Sequence, residues 1–413
     1  MDTARKRRVV VMGLGYIGLP TAGLIASKGM EVLGVDINPQ VVETINKGNI
    51  HIVEPDLEGL VAYVVNKGLL KAVSAPGPAD IFIITVPTPI KENKEPDMTD
   101  VDRAFADAAP HLKAGNLVII ESTCPVGTTE RCIEYIYSIR PELRGRIHMA
   151  YCPERVLPGN IIHELEHNDR VIGALDAESG RRAVEFYSSF VKGNTYLTAA
   201  RTAEMCKLVE NAYRDVNIAF ANELSTICDS LDIDAWELIE LANKHPRVEI
   251  LQPGPGVGGH CIAVDPWFIV TAAPQQARLM RTAREINDGK LDYVASMVRK
   301  KAAGFKAPVV ACLGLSFKAD IDDLRESPAL KIVEMLCDMK DWKLLVAEPH
   351  IRTLPPVLTG RPGVELAEAQ DAVDRADVVV LLVNHKVFRN IDPKSLESKT
   401  VYDTRGMWRR PAR

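Results

Sequence analysis

Cys261 closes the run Gly254-Pro255-Gly256-Val257-Gly258-Gly259-His260-Cys261, and Asp265 follows four residues later. Glycines let a backbone approach a ligand closely. A thiol at the end of such a loop, beside a carboxylate that orients a water or a lysine, suits nucleophilic attack on a carbonyl carbon. Cysteine is also used as a small buried apolar residue, so the loop alone leaves both readings open. Upstream, Lys207, Asn211 and Arg214 stand at i, i+4 and i+7 and share one stripe if the segment is helical. Such a stripe is a solvated face when nothing else marks it. As a working row it offers donors that orient a sugar and an anion. His245 and Arg247 place a basic cluster in a chain of net charge −5, as a diphosphate ligand requires.

A second chemistry opens the chain. Gly13-Leu14-Gly15-Tyr16-Ile17-Gly18 follows the apolar run Val9–Met12 and precedes a helical pattern. In that context the first glycine turns the chain, the second admits a pyrophosphate to backbone N–H groups, and the third lets helix and sheet pack. Asp36 ends the next apolar run, where its carboxylate accepts from ribose hydroxyls and repels a 2′-phosphate, favouring NAD over NADP. A nicotinamide site without a thiol takes an alcohol to a carbonyl. With Cys261 at the same carbon the aldehyde is held covalently and oxidised again.

These residues need a frame. Strands are expected at Val9–Met12, Val32–Val35, Ile81–Val86, Leu117–Ile120 and His148–Tyr151, alternating with helical patterns, which predicts a parallel sheet with helices on both faces. Ligands gather at the carboxyl ends of such strands, which singles out Thr85 to Thr88, Ser122-Thr123 and Cys152 to Glu154. The segment Pro87–Thr99 is polar and proline-rich, hence a loop. Residues 199–245 hold the longest helical pattern, with Met205, Leu208, Val209, Ala212, Val216, Ala219 and Phe220 as its apolar face, opposite the Lys207 stripe. A long helix between two α/β regions often packs against a second subunit. Alternation resumes at Val309–Leu313, Lys343–Ala347, Val378–Val383 and Thr400–Tyr402. The expected architecture is α/β: two Rossmann-like doubly wound domains, 1–198 and 306–413, joined by a helical central domain, 199–305.

Composition narrows the class. The 413 residues are 46% apolar and 25% charged, ordinary for a globular protein with large cores. The negative charge gives no reason to expect nucleic acid or an anionic membrane, and no apolar run is long enough to span a bilayer. Arg5-Lys6-Arg7-Arg8 before an apolar stretch superficially resembles a signal peptide, but Gly13, Gly15, Gly18 and Pro20 interrupt that stretch. None of the eight cysteines forms a Cys-x-x-Cys pair, so neither a zinc site nor a disulfide framework is indicated, and a reduced, cytoplasmic protein is expected.

Taken together the motifs resemble the UDP-glucose/GDP-mannose dehydrogenase family from about residue 8 to residue 408. The resemblance rests on the glycine motif, Tyr151-Cys152-Pro153-Glu154-Arg155, Lys207-x-x-x-Asn211 and Gly258-Gly259-His260-Cys261-x-x-x-Asp265-Pro266. It also rests on Gly314-Leu315-Ser316-Phe317-Lys318 followed by Asp323-Leu324-Arg325-Glu326-Ser327-Pro328. Pro153 to Gly159 and His245 to Val248 look like the branch that oxidises UDP-N-acetyl-D-mannosamine at C6. Sequence does not separate that epimer from UDP-N-acetylglucosamine, or exclude UDP-glucose.

The resemblance implies roles. NAD would lie on Gly13, Gly15, Tyr16, Ile17 and Gly18, with Asp36 on the ribose, Thr88 and Thr123 nearer the nicotinamide, and Arg325 also reaching it. Lys207 and Asp265 would hold the base or water that deprotonates C6–OH. Cys261 would form a thiohemiacetal and then a thioester. Glu154 would activate the releasing water, Lys207 and Asn211 would stabilise oxyanions, and Thr123 would complete the catalytic set. The UDP-N-acetylhexosamine would be held by Arg155, Val156, Lys207, Asn211, Arg214, His245, Arg247, Gly258, Phe317 and Lys318. A homodimer or higher homo-oligomer is implied, part of the UDP site coming from the partner. The second α/β region carries Gly314-Leu315-Ser316 in place of another G-x-G-x-x-G, so both oxidations should share one NAD site, and no metal is expected. A two-electron β-hydroxyacid dehydrogenase and a non-catalytic sugar-nucleotide sensor are the competing readings. Both tolerate loss of Cys261.

Overall fold

The computed structural model describes residues 7–157, 159–259 and 261–408. His260 and Pro158, both in motifs named above, lie outside the described residues. The chain divides into two compact units: residues 1–210 with 267–272, and residues 211–266 with 273–413.

The first unit is built on short runs of β-branched residues. Its strands are β1 Arg8–Met12, β2 Glu31–Val35, β3 Leu70–Val73, β4 Ile81–Ile84, β5 Leu117–Ile120, β6 His148–Tyr151, β7 Arg170–Ala174 and β8 Thr195–Ala199. They form one sheet in the order β3-β2-β1-β4-β5-β6-β7-β8. The first six follow the doubly wound nucleotide-binding order. Successive side chains of a strand point to opposite faces. Val9 and Val11 accordingly enter one core and Val10 and Met12 the other. Each such fully buried Val contributes about 1.5–3 kcal/mol.

All five strands expected in this region form. Two details differ from expectation. β4 stops at Ile84 rather than Val86, because the Thr85 hydroxyl turns back to bond Met12 O at 2.9 Å and Gly13 O at 2.8 Å. The sheet is also not wholly parallel: β7 runs antiparallel to β6 through Ala150↔Ala174 and Tyr151↔Gly173.

The second unit carries β9 Val309–Leu313, β10 Lys343–Ala347, β11 Val364–Leu366, β12 Val378–Leu381 and β13 Thr400–Asp403, all parallel, in the order β11-β10-β9-β12-β13. β12 ends two residues before the predicted Val383. Gly314, at φ +93°, turns the chain after β9, and Leu315 and Ser316 N–H donate to Glu348 Oε2 at 2.7 and 3.1 Å.

The helix Ala200–Leu231 begins in the first unit and continues into the second. Its faces are not distributed as the apolar pattern suggests. Leu208, Ala212 and Ala219 are buried, but Met205, Val209 and Phe220 are 37%, 38% and 54% exposed, and Val216 is half-buried. The buried side is built instead from small and polar residues: Ala203, Glu204, Lys207, Asp215 and Asn222. Polar partners make that possible. In the second unit Arg284 donates to Asp215 at 2.6 Å, Asn287 to Asp215 at 2.8 Å, and Asn222 to Asn287 at 2.8 Å. The side-chain oxygen of Asn222 accepts Gly254 N–H at 2.8 Å. The network thus fixes the start of the glycine loop against the helices Ala200–Leu231 and Arg278–Ala302.

Candidate active site

In the first unit the turn after β1 is a cradle. Gly13 has φ +95°, and a Cβ at Gly18 would lie 1.8 Å from Gly13 O. Neither position admits a side chain. Gly15 is exposed, and a Cβ there would meet nothing within 4 Å, so the loop leaves open space above it. The helix Gly18–Ser27 has no side-chain cap and no acidic residue in its first turn. Its leading N–H groups are therefore available to an anion. Tyr16 and Ile17 are half-buried at that helix start. Asp36 accepts Leu14 N–H at 3.0 Å on one oxygen and Asn38 N–H at 2.9 Å on the other, and stays half-exposed. This donor set, cradle and free carboxylate capacity fit a dinucleotide.

The neighbouring strand ends divide into latches and open positions. Thr85 is tied to Met12 and Gly13, and Ser122 Oγ donates to Val86 O at 2.7 Å. Thr88 and Thr123 are half-buried, and no side-chain hydrogen bond holds either among the described residues. Glu204, fully buried on the long helix, accepts Gly127 N–H at 2.6 Å and Thr129 N–H at 2.8 Å, which pins the segment after Thr123.

Beyond β6 the chain presents Glu154 and Arg155. Burial pushes the Glu154 carboxyl up to about 7, against the pull of Lys207 and Arg170. Its carboxylate accepts Val156 N–H. Lys207 is 9% exposed, so the structure removes it from the solvated face that its stripe suggests. Arg155 pairs in two-pronged fashion with Glu210, at 3.1 and 2.8 Å.

In the second unit Cys261 is the exposed member of the eight cysteines; five are buried and two half-buried. Its carbonyl accepts Asp265 N–H at 2.8 Å, which sets the thiol one turn before the helix Asp265–Ala272. Asp265 is 3% exposed and accepts Asn211 Nδ2 at 2.6 Å. The thiol segment, the carboxylate and the amide are thus brought together. Gly258 is obligatory: a Cβ there would stand 2.5 Å from Pro328 Cδ and 2.9 Å from Phe317 Cβ. Phe317 therefore packs under the glycine loop.

Other expected ligand residues lie at the surface. Arg214, His245, Arg247 and Lys318 are exposed, and Arg325 is turned onto Asp323 by bonds of 2.9 and 2.6 Å.

Arg405 was missed by sequence reasoning. Its Nε donates to Leu382 O at 3.1 Å, and its Nη1 would lie 2.5 Å from a Cβ on Gly254. It forms no ion pair among the described residues, and burial pushes it down to about 10. A desolvated cation beside the glycine loop is suited to an anion. The only signal was an arginine just after the last strand.

Comparison with known proteins identifies the segments of the chain. Three parts of the UDP-glucose/GDP-mannose dehydrogenase family match in succession: the NAD binding domain at residues 7–191, the central domain at 201–289 and the UDP binding domain at 311–410. The NDP-N-acetyl-D-galactosaminuronic acid dehydrogenase of Ralstonia nicotianae is 56% identical over 410 residues, covering 97% of this chain and 96% of that protein. The UDP-N-acetyl-D-mannosamine dehydrogenase of Escherichia coli is 52% identical over 417 residues, covering 97% and 99%. Among solved structures, the UDP-D-ManNAc dehydrogenase of Pyrococcus horikoshii superposes with a TM-score of 0.88 at 37% identity, covering 98% of this chain and 96% of that one.

Proposed function

The chain belongs to the UDP-glucose/GDP-mannose dehydrogenase family, NAD-dependent enzymes, and from that premise we propose that it oxidises C6 of UDP-N-acetyl-D-mannosamine by four electrons to the uronate. The observation that carries the reading is the exposed Cys261 thiol, one turn before a buried Asp265 that Asn211 holds at 2.6 Å. NAD, when bound, supplies the hydride acceptor, one equivalent for each oxidation. Gly13, Gly15, Tyr16, Ile17 and Gly18 hold its pyrophosphate, Asp36 its ribose, and Thr88, Thr123 and Arg325 its other parts.

Lys207 and Asp265 hold the base or water that takes the C6 hydroxyl proton as hydride leaves the carbon. The Cys261 thiolate then adds to the aldehyde carbon. Loss of a second hydride leaves a thioester. Water, losing its proton towards Glu154, attacks that carbonyl; the C–S bond breaks and the thiolate returns. Lys207 and Asn211 stabilise the oxyanions at each stage, interactions that usually contribute most to such steps. Arg155, Val156, Arg214, His245, Arg247, Gly258, Phe317 and Lys318 hold the nucleotide sugar, and Arg405 joins them at the diphosphate.

The division 1–198, 199–305 and 306–413 is the proposed domain organisation, near the three matched segments. A homodimer is proposed through the outward side of the long helix, where Met205, Val209, Tyr213, Phe220, Ile227 and Leu231 stand exposed. An apolar stripe of this length on a monomer marks an interface. No helix among the described residues is long and apolar enough to cross a membrane. Eight cysteines, none of them in a disulfide, support a reducing, cytoplasmic setting.

The name carried by the Ralstonia relative favours a second reading, a galacto-configured substrate. The test is NADH formed per molecule of limiting UDP-sugar. Two NADH from UDP-N-acetylmannosamine, and none from the Cys261→Ser variant beyond the first, is the expected result. One NADH from the unaltered protein refutes the thioester. No turnover of that sugar, with turnover of the galacto or gluco epimer, moves the substrate.

A further inference from the structure

The first unit also holds a cluster of ionisable side chains that the steps above do not use. Glu121 follows β5, Cys152 follows β6, Arg170 opens β7, and Tyr187 ends the helix Ala177–Tyr187. The strand ends adjoin, for Cys152 N–H donates to Ile120 O at 2.9 Å. Glu121 and Arg170 are each 3% exposed, and Tyr187 and Cys152 are fully buried. The Tyr187 hydroxyl donates to Glu121 Oε1 at 2.6 Å, and Arg170 lies 5.5 Å from the centre of the Tyr187 ring. Two polar atoms of the cluster, Glu121 Oε2 and Arg170 Nε, are buried with no hydrogen-bond partner among the described residues.

A guanidinium keeps its proton in a protein. A buried one needs a compensating charge. Arg170 forms no direct ion pair among the described residues, and two carboxyl groups, Glu121 and Glu154, bear on its charge. Burial pushes Glu121 up, and Arg170 pulls it back towards ionisation. A buried carboxyl and guanidinium with two unmet hydrogen bonds are an expensive way to fill a core.

The neighbourhood supplies a reason. Glu154 follows Cys152 by two residues, and its segment is tied to the turn before β7. Asn168 Nδ2 donates to Arg155 O, and Arg155 Nη1 donates to Asp169 O, both at 3.4 Å. The charges that act on Glu154 are Lys207 from the long helix, Arg170 from β7, Glu121 from the end of β5 and Glu164 from the helix Ile161–His167. We propose that Glu121 and Arg170 form a buried positioning pair that sets the protonation of Glu154. The inference rests on the reading of Glu154 as the group that activates the hydrolytic water. The negative member holds the proton on Glu154, and the positive member releases it.

The test follows the pH dependence of uronate release in Glu121→Gln, Arg170→Met, Tyr187→Phe and Glu154→Gln, with thermal unfolding in parallel. Like and opposite charges move a neighbour in opposite senses. Glu121→Gln should move the acid limb down by about one pH unit, roughly tenfold in rate at a pH on the limb, and Arg170→Met should move it up. Tyr187→Phe deletes one oxygen and is the gentlest variant for folding. It weakens the ionised form of Glu121, so it moves the limb down by less. Limbs that stay in place, or move together in one direction, reduce the cluster to a structural role. A limb that survives Glu154→Gln overturns the reading of Glu154 itself. A limb abolished there but unmoved in the other three overturns only the pair.

Discussion

Gly15 and Gly18 occupy one loop but answer to different constraints, and substituting each with alanine separates them. At Gly18 the new Cβ would lie 1.8 Å from Gly13 O and 2.5 Å from Thr85 Oγ1. Neither neighbour gives way easily: the turn at Gly13 is fixed by its φ of +95°, and Thr85 is held by two hydrogen bonds. Overpacking of this kind costs about 3 kcal/mol, the upper end of the usual range. In a unit of this size each kcal/mol moves the melting point by about 2–4 °C, so Gly18→Ala should unfold ~6–12 °C earlier. At Gly15 the Cβ meets nothing within 4 Å and the backbone is not left-handed. Gly15→Ala should then stay within about 0.5 kcal/mol of the parent in stability. Yet its methyl enters the space read as the pyrophosphate's, and NAD should bind at least about tenfold more weakly, a loss of ~1.4 kcal/mol. Scanning fluorimetry without ligand gives the first quantity and titration calorimetry with NAD the second. Unimpaired NAD binding by Gly15→Ala would refute the assignment of that space, and a large melting shift would refute the claim that it is empty of protein.

Three further outcomes are expected. Asp36→Ala removes the acceptor of Leu14 N–H and the repulsion of a 2′-phosphate; calorimetry should show NAD weakened more than NADP, and an unchanged preference places specificity elsewhere. Arg405→Met deletes the desolvated cation beside Gly254. Because a charged hydrogen bond contributes about 1.5–3 kcal/mol, KM for the UDP-sugar should rise roughly ten- to a hundredfold, and an unaltered KM removes Arg405 from the diphosphate. Phe220→Glu places a charge on a side chain that is 54% exposed on the long helix; light scattering should show a smaller assembly, and an unchanged mass rules out that face as the interface.

The first unit was legible where local chemistry is strict. Glycine spacing, a preceding β-branched run and an acid at the next strand end admit few folds, and Gly13, Gly18 and Asp36 stand as that pattern requires. The strands that escaped reading, Leu70–Val73, Arg170–Ala174, Thr195–Ala199 and Val364–Leu366, are short and carry polar residues. Three of them sit at sheet edges, where only one neighbour constrains composition. The long helix shows an apolar face in its sequence, but residue type alone does not say which of those side chains turn inward. Its inner side is paired polar groups, and a residue's partners across 60 or 70 positions leave no periodic trace. Glu121, Arg170 and Lys207 were invisible as buried charges for the same reason, since charged residues are surface residues by default. Arg405 had no motif around it.

The five-stranded sheet repeats the order of the first five strands of the larger one, and each sheet places an acid at the end of its second strand. Their capacity to take on further donors is nevertheless opposite. An ionised carboxylate offers about four acceptor positions. Asp36 uses two, for Leu14 and Asn38, and the two left over match the two hydroxyls of a vicinal diol. Glu348 receives Leu315, Ser316 and His385 on one oxygen and His350 on the other. It is saturated. His385 is locked in turn, because its Nδ1 accepts Asp320 N–H at 2.9 Å and its Nε2 faces Glu348. Among the described residues one carboxylate keeps vacancies and the other has spent them, so Asp36 can receive a sugar diol after β2 in a way that Glu348 cannot after β10.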